Sequence, residues 1–246
     1  MADVFNEADQ QYRAAQTRDL VARGWPYAAA VAVALVLAAL GFWAWSAYAD
    51  AQAAKASNLY AQGLAAAQAG NDAGARSAFD QIGGAAPASY KALALMQEAG
   101  LSLKANKPAE ALALLDQASH AAPGRILGDA AALEAAFIAM DSQPLSSIEN
   151  RLQPLMDAKR PYRDMAREAD ATAKLVAGRT AEAKRDFQLL ILSQDVSDAA
   201  RQRAEAAMAM IDSGAAASVP AAVKAELALP PLPPAPAGAA AVPGAQ

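Results

Sequence analysis

The sequence predicts an all-α protein: one transmembrane helix, then a solenoid of helical hairpins, then a disordered Pro/Ala-rich tail. Three observations carry this. No charge falls between Arg23 and Asp50. Between residues 51 and 213, turn formers and small residues return at a constant spacing, as in Asp72, Pro108, Pro144 and Thr180. No sustained β-branched alternation follows the apolar run, so strand signals are nearly absent. The chain divides into a cytosolic segment at 1–24, a transmembrane helix at 25–49, a hairpin domain at 51–213 and the tail at 214–246.

The stretch WPYAAAVAVALVLAALGFWAWSAY, Trp25 to Tyr48, is long enough to cross a bilayer. About 20 residues rising about 1.5 Å each span a hydrocarbon core about 30 Å thick. Trp25 and Tyr27 stand at one end and Trp43, Trp45 and Tyr48 at the other, where amphipathic rings sit at headgroup level. A cleavable signal is the competing reading, because Ala47, Tyr48 and Ala49 have the small-x-small form of a cleavage site. Against it stand the acidic residues Asp3, Glu7, Asp9 and Asp19 ahead of the run, the length of the run, and bulky Trp43 and Trp45 beside the cut. Arg13, Arg18 and Arg23 precede the span, and Lys55 is the only basic residue between it and Arg76. Positive residues stay inside. The N-terminus is therefore expected in the cytoplasm and the bulk of the chain across the membrane, which in a bacterium is the periplasm.

Composition narrows the function. The net charge of −4 and pI of about 5.1 leave no basic footprint for nucleic acid. The absence of cysteine excludes disulfides, thiol catalysis and cysteine-based zinc sites. The hydrophobic fraction of 55% is inflated by alanine and fits close-packed helices.

The hairpin domain is read from its repeat. Gly70, Asn106, Ser142 and Gly178 are turn formers, followed by helix starts at Asp72, Pro108, Pro144 and Thr180. Ala75, Ala111, Ser147 and Ala183 are small residues in each second helix, and Gly63, Ala99, Ala135 and Ala171 are small residues in each first helix. Small residues let the two helices of a hairpin approach closely. Within a unit the order matches the tetratricopeptide pattern of a small residue, then A-x3-F, then proline. Gly63 precedes Ala75-x3-Phe79 and Pro87; Ala99 precedes Ala111-x3-Leu115 and Pro123; Ala171 precedes Ala183-x3-Phe187, with Asp195 in place of proline. The third unit is degenerate, with Arg151 at the large apolar position and Leu152 beside it. Ser197 to Gly214 reads as a closing helix with Ser197 as its N-cap, since the last repeat otherwise exposes its stacking face. From Ala215 the composition shifts, and seven of the fourteen prolines follow, which reads as a disordered, partly polyproline tail.

No catalytic, cofactor-binding or metal-ligating residues are expected. His120 is the only histidine and reads as a solvated loop residue. Phosphate-loop, nucleophile-elbow, zinc-helix and dinucleotide patterns are missing. The carboxylates Glu98, Glu110, Glu134 and Asp170 read as scattered over helix surfaces, and the charge run Lys159 to Asp170 reads as a solvated face with an attraction between Asp164 and Arg167. What remains is binding on a solenoid surface, with no partner-binding residues singled out. Ala30, Ala34 and Ala38 make a small-residue stripe in the span that could pack against another helix.

The stretch GFWAWSAYADAQAAKASNLYAQGL, Gly41 to Leu64, resembles the span exit and first helix of the ancillary SecYEG translocon subunit family, the YfgM-like proteins. The start MADVFNEADQQYR is similar to the cytosolic segment of its alphaproteobacterial relatives. The resemblance covers the order of parts from Met1 to Gly214. It implies a single-pass protein of the bacterial inner membrane with a periplasmic domain. The implied partners are the SecYEG translocon and a membrane-anchored periplasmic chaperone of the prolyl-isomerase type, with exported polypeptides as further clients. It implies no cofactor and no catalytic residue. Two other readings stay open: a tetratricopeptide adaptor of another cell-envelope assembly complex, and a soluble periplasmic binding protein released by cleavage at Ala47–Ala49.

Overall fold

The computed structural model describes the backbone of residues 2–194 and 196–229, with side chains from Trp25 onward except Pro26 and Ala28. Among the described residues all regular structure is helical. Helix α1 runs Ala2–Gln68 without a break. The chain forms two compact units, Met1–Lys55 and Ala56–Gln246, and α1 continues from one into the other.

In the first unit the side chains from Val31 to Tyr48 include a row of exposed large apolar groups, among them Leu35, Leu37, Phe42, Trp43 and Trp45. The stretch Ala29–Gln68 has a mean hydropathy of 2.0 at its most apolar and is long enough to cross a membrane. None of the described residues covers this surface, and apolar area left in water costs roughly 25 cal/mol per Å².

The second unit is a row of hairpins. After the end of α1 come α2 (Asp72–Asp80), α3 (Ala88–Lys104), α4 (Pro108–Ala121), α5 (Arg125–Met140), α6 (Leu145–Leu152), α7 (Arg163–Val176), α8 (Thr180–Leu192) and α9 (Asp198–Asp212). The helix starts expected at Asp72, Pro108 and Thr180 are the first residues of α2, α4 and α8. Each is preceded by a turn with one residue at positive φ: Gly70 at 76°, Asn106 at 57° and Gly178 at 78°. There the amide three residues beyond the last helical residue reaches back five positions, as Asn71 N to Ala66 O (2.9 Å), Lys107 N to Ser102 O (2.8 Å) and Arg179 N to Lys174 O (2.8 Å). This closure satisfies helix carbonyls that would otherwise lack donors.

The third turn differs. Ser142 does not enter the left-handed region, and Gln143 N instead bonds Ala139 O at 2.8 Å. Pro144 becomes an extended cap rather than part of the first turn, and α6 begins one residue late, at Leu145. The expected pair Ser147 and Arg151 is thereby replaced by Ile148 and Leu152, both buried. The large apolar position of the third repeat is filled by Leu152, and Arg151 turns outward.

Each core cluster joins one hairpin to the first helix of the next. Ala56, Ala75 and Phe79 meet Ala94 and Leu101 of α3. Ala99, Ala111 and Leu115 meet Ala131 and Ala135 of α5, and Leu133, Ile148 and Leu152 meet Ala166 and Ala169 of α7. Ala171, Ala183 and Phe187 meet Ala200 and Ala204 of α9. The alanines let helix backbones approach, and one large side chain per repeat fills the gap between them. Gly63 shows the tightest case: a Cβ there would stand 2.7 Å from Cδ1 and Cζ of Phe79. Tyr60 completes this corner, 5.7 Å from Phe79 and 6.2 Å from Tyr90 between ring centroids.

Helix α9 closes the array as expected. Ser197 Oγ accepts from Ala200 N (3.3 Å), and Gly214 ends the helix at φ 77°. The expectation of disorder from residue 214 is corrected here. Ala215–Ser218 forms a 3₁₀ turn, and α10 follows at Val219–Leu227, bent 89° from α9. Ala216 is buried in the α7–α8–α9 cluster, so apolar burial orders a segment whose composition reads as tail. Residues 230–246, which hold most of the Pro-rich sequence, lie outside the described residues.

Candidate interaction surface

The second helices are tied together by ions. Arg76 of α2 donates to Glu110 of α4 at 2.9 Å and to Ser102 Oγ at 3.1 Å. Arg151 of α6 grips Asp116 of α4 with two bonds of 2.7 and 3.1 Å. Arg179, just ahead of α8, reaches Glu149 of α6 at 3.3 Å and Glu182 at 2.7 Å. Glu110, held by the Lys107 ammonium, the Ser102 hydroxyl and Arg76, stays below its ordinary pKa. The charges on this face are spent on neighbouring repeats. Solvent screens half-exposed pairs of this sort, so they add little stability and mainly fix the register between hairpins.

Three of the four carboxylates read as scattered occupy one repeat position instead, and Glu110 lies in the first turn of α4. Glu98, Glu134 and Asp170 each immediately precede the small residue of their first helix, Ala99, Ala135 and Ala171. Glu98 and Asp170 are buried, while Glu134 is exposed. Burial pushes the Glu98 carboxyl up to about 7; the nearby Asp80 carboxylate adds to the shift and Arg76 opposes it. Desolvation raises Glu134 as well.

The charge run Lys159 to Asp170 is only partly a solvated face. Arg160 donates to the buried Asp129 at 2.7 Å, and Glu168 is clasped by Arg203 of α9. Asp164 and Arg167 do not form the expected ion pair among the described residues, and Asp164 Oδ1 is buried without a partner. His120 lies in the last turn of α4 rather than in a loop, exposed, with Nδ1 2.6 Å from Asp116 O. Among the described residues, no group of three His, Cys, Asp or Glu side chains is placed to hold a metal ion.

Among the described residues of the hairpin unit, two surfaces carry large apolar groups facing outward beside scattered single ones such as Leu103 and Met210. One is the outer face of α5, with Ile126 and Phe137. The other is a cavity of about 530 Å³ beside α7 and α8. Its apolar lining includes Leu189, 65% exposed, Leu192, 78% exposed, and the partly buried Met156. Its floor is ionic. Lys174 Nζ donates to Asp170 Oδ2 and Asp186 Oδ2, each at 2.7 Å. Burial pulls the Lys174 ammonium toward neutrality, but these two bonds outweigh it and leave its pKa raised. Asp170 Oδ1 is buried with no hydrogen-bond partner.

Reading the sequence residue by residue missed this floor. The signal lay in the repeat register. The positions of Arg167, Lys174 and Asp186 hold Leu95, Ser102 and Leu114 in the second repeat and Leu59, Ala66 and Ala78 in the first.

An array of antiparallel helix pairs, each burying its small residues against the next and closed by a capping helix, defines a helical-repeat interaction scaffold. Residues 24–212 match the family described as Tetratricopeptide repeat-like domain, and the chain belongs to that family. No curated protein and no solved structure matches it.

Proposed function

We propose that the chain is a membrane-anchored scaffold whose hairpin domain stands on the periplasmic side of a bacterial inner membrane. There it associates with the SecYEG translocon and a membrane-anchored periplasmic chaperone to assist newly exported proteins. One observation carries the anchored reading. Helix α1 supplies both the apolar stretch and, through Ala56 and Gly63, the first helix of the first repeat. Such a helix holds the domain at the membrane surface, where a weak groove contact becomes effective through raised local concentration. The translocon partnership rests on the resemblance of Gly41–Leu64 to the YfgM-like family. The proposal assigns the domain no catalysis and no cofactor.

The Ala47–Ala49 motif favours a second reading, a domain released into the periplasm. The continuous helix through Ala47–Asp50 counts against it. Crosslinking of the full chain in native membranes, with partners identified by mass spectrometry, tests the proposal. The expected result is enrichment of SecYEG subunits over other inner-membrane proteins of equal abundance. Enrichment of a different envelope assembly complex instead would replace the translocon by that complex.

A further inference from the structure

We propose that the cavity between the α4–α5 turn and the loop ahead of α7 binds one phosphate-type oxyanion, held by Arg125, Arg160 and the first amides of α5.

The first argument is charge. The cavity, of about 510 Å³, is lined by three guanidiniums, Arg125, Arg151 and Arg160, and by one carboxylate, Asp129. Asp129 pairs with Arg160, and Asp116, which does not line the cavity, pairs with Arg151. Arg125 is exposed and takes part in no ion pair among the described residues. Three cations therefore face two carboxylates, and one positive charge stays uncompensated in a chain whose net charge is −4. An anion in the cavity relieves the repulsion between the guanidiniums.

The second argument is spare donors. A guanidinium has more N–H groups than one carboxylate oxygen can take. Arg160 gives one of them to Asp129 Oδ1 at 2.7 Å, and its side chain stays partly exposed. Asp129 is 5% exposed and its Oδ2 is buried away from solvent, so its charge is spent on holding Arg160. The start of α5 adds further donors to the guanidinium cluster. Gly124 caps it without a side chain, and no acidic residue stands in its first turn. The amides of Arg125, Ile126 and Leu127 therefore lack acceptors within the helix. Arg125 also stands at the positive end of the helix dipole, where a cation is unfavourable and an anion is favoured. A Cβ at Gly128 would stand 3.1 Å from Ser119 O, so glycine lets this helix start close on the end of α4.

The third argument selects the occupant. The donors come from separate elements, the first turn of α5 and the loop ahead of α7. A planar carboxylate offers two oxygens in one plane, whereas a tetrahedral phosphate offers acceptors in several directions. Guanidinium forks and helix starts are the protein groups that suit phosphate best. The volume exceeds that of a bare ion and lies in the range of small-ligand sites, so an organic phosphate fits. On the anchored reading the domain works beside a phospholipid surface. Headgroup phosphate is thus one source of the ligand, and a soluble phosphate ester is the other.

The test uses the full chain, nitrogen-15-labelled, in a maltoside detergent that carries no phosphate. Inorganic phosphate, acetate and chloride are titrated at constant ionic strength. The expected result is saturable shifts at the amides of Arg125, Ile126 and Leu127 and at the Arg160 guanidinium, with acetate about tenfold weaker than phosphate. Arg125→Gln, at an exposed position, should weaken phosphate about tenfold without lowering the melting temperature. Two further arms identify the source. Shifts of the same residues in phosphatidylglycerol nanodiscs, compared with galactolipid nanodiscs, assign the site to headgroups; shifts with glycerol 3-phosphate and not with the lipid assign it to soluble esters. Phosphate no tighter than acetate or chloride, or unchanged affinity in Arg125→Gln, would overturn the proposal. Neither result depends on whether SecYEG is the partner, which the membrane crosslinking decides.

Discussion

Gly63 and Phe79 show how a single missing methyl sets the approach of two helices. Alanine normally stabilises a helix interior over glycine by about 1 kcal/mol. At residue 63 the added Cβ would overlap the Phe79 ring, an overpacking that typically costs about 1–3 kcal/mol. Gly63→Ala is therefore expected to lower the thermal stability of the chain but to raise it in a Phe79→Leu background. That double change recreates the Ala99–Leu115 pair of the second repeat. Thermal unfolding of the four forms measures the coupling; additive effects would mean that the two residues do not touch. Glu98 gives a second test at this scale. Its carboxyl is pushed from an ordinary 4.5 to about 7, so the folded chain binds a proton that the unfolded chain releases between those values. The unfolded state then holds fewer protons, and stability falls as pH rises through this window. Glu98→Gln should stabilise the protein at pH 8 and lose that advantage near pH 4.5, measured as melting temperature against pH.

At the scale of elements, the third repeat separates what pattern shows from what the backbone decides. Turn formers and helix starts identify four hairpins because a left-handed residue followed by a helix start is a local event. Gly70, Asn106 and Gly178 behave accordingly. Ser142 carries no comparable demand for positive φ, and the extra residue in its turn moves α6 along by one. Sequence spacing points to Arg151; packing selects Leu152. Leu152→Ala should cost about 2–5 kcal/mol as a buried truncation. Arg151→Ala should cost about 1 kcal/mol or less, as the loss of a partly exposed pair with Asp116. Denaturant unfolding compares them, and the reverse order would restore the unshifted register. Helix α10 was illegible for a different reason. Its composition is that of a tail, and its order depends on Ala216 finding a site among α7, α8 and α9, a tertiary contact that no local window records. The α8 cavity was illegible for a third reason. Asp170 and Lys174 look like an ordinary surface pair four residues apart, and only alignment of the repeats shows Lys174 standing where uncharged Ala66 and Ser102 stand elsewhere.

For the whole molecule, the continuity of α1 links its two units. Trp25 to Tyr48 was readable as an apolar helix long enough to cross a membrane, from length and composition alone. That the same helix runs on to Gln68 and buries Ala56 was not, because Asp50 and Lys55 end the apolar run without ending the helix. Removing the first 49 residues would cut α1 only a few residues before Ala56 enters the core, and the proposed function keeps the domain joined to the apolar stretch. Intact mass spectrometry of the protein purified from native membranes tests this most directly. The account predicts a species that retains residues 1–49. A mass corresponding to a start at Asp50 would contradict it and make the domain a released periplasmic protein.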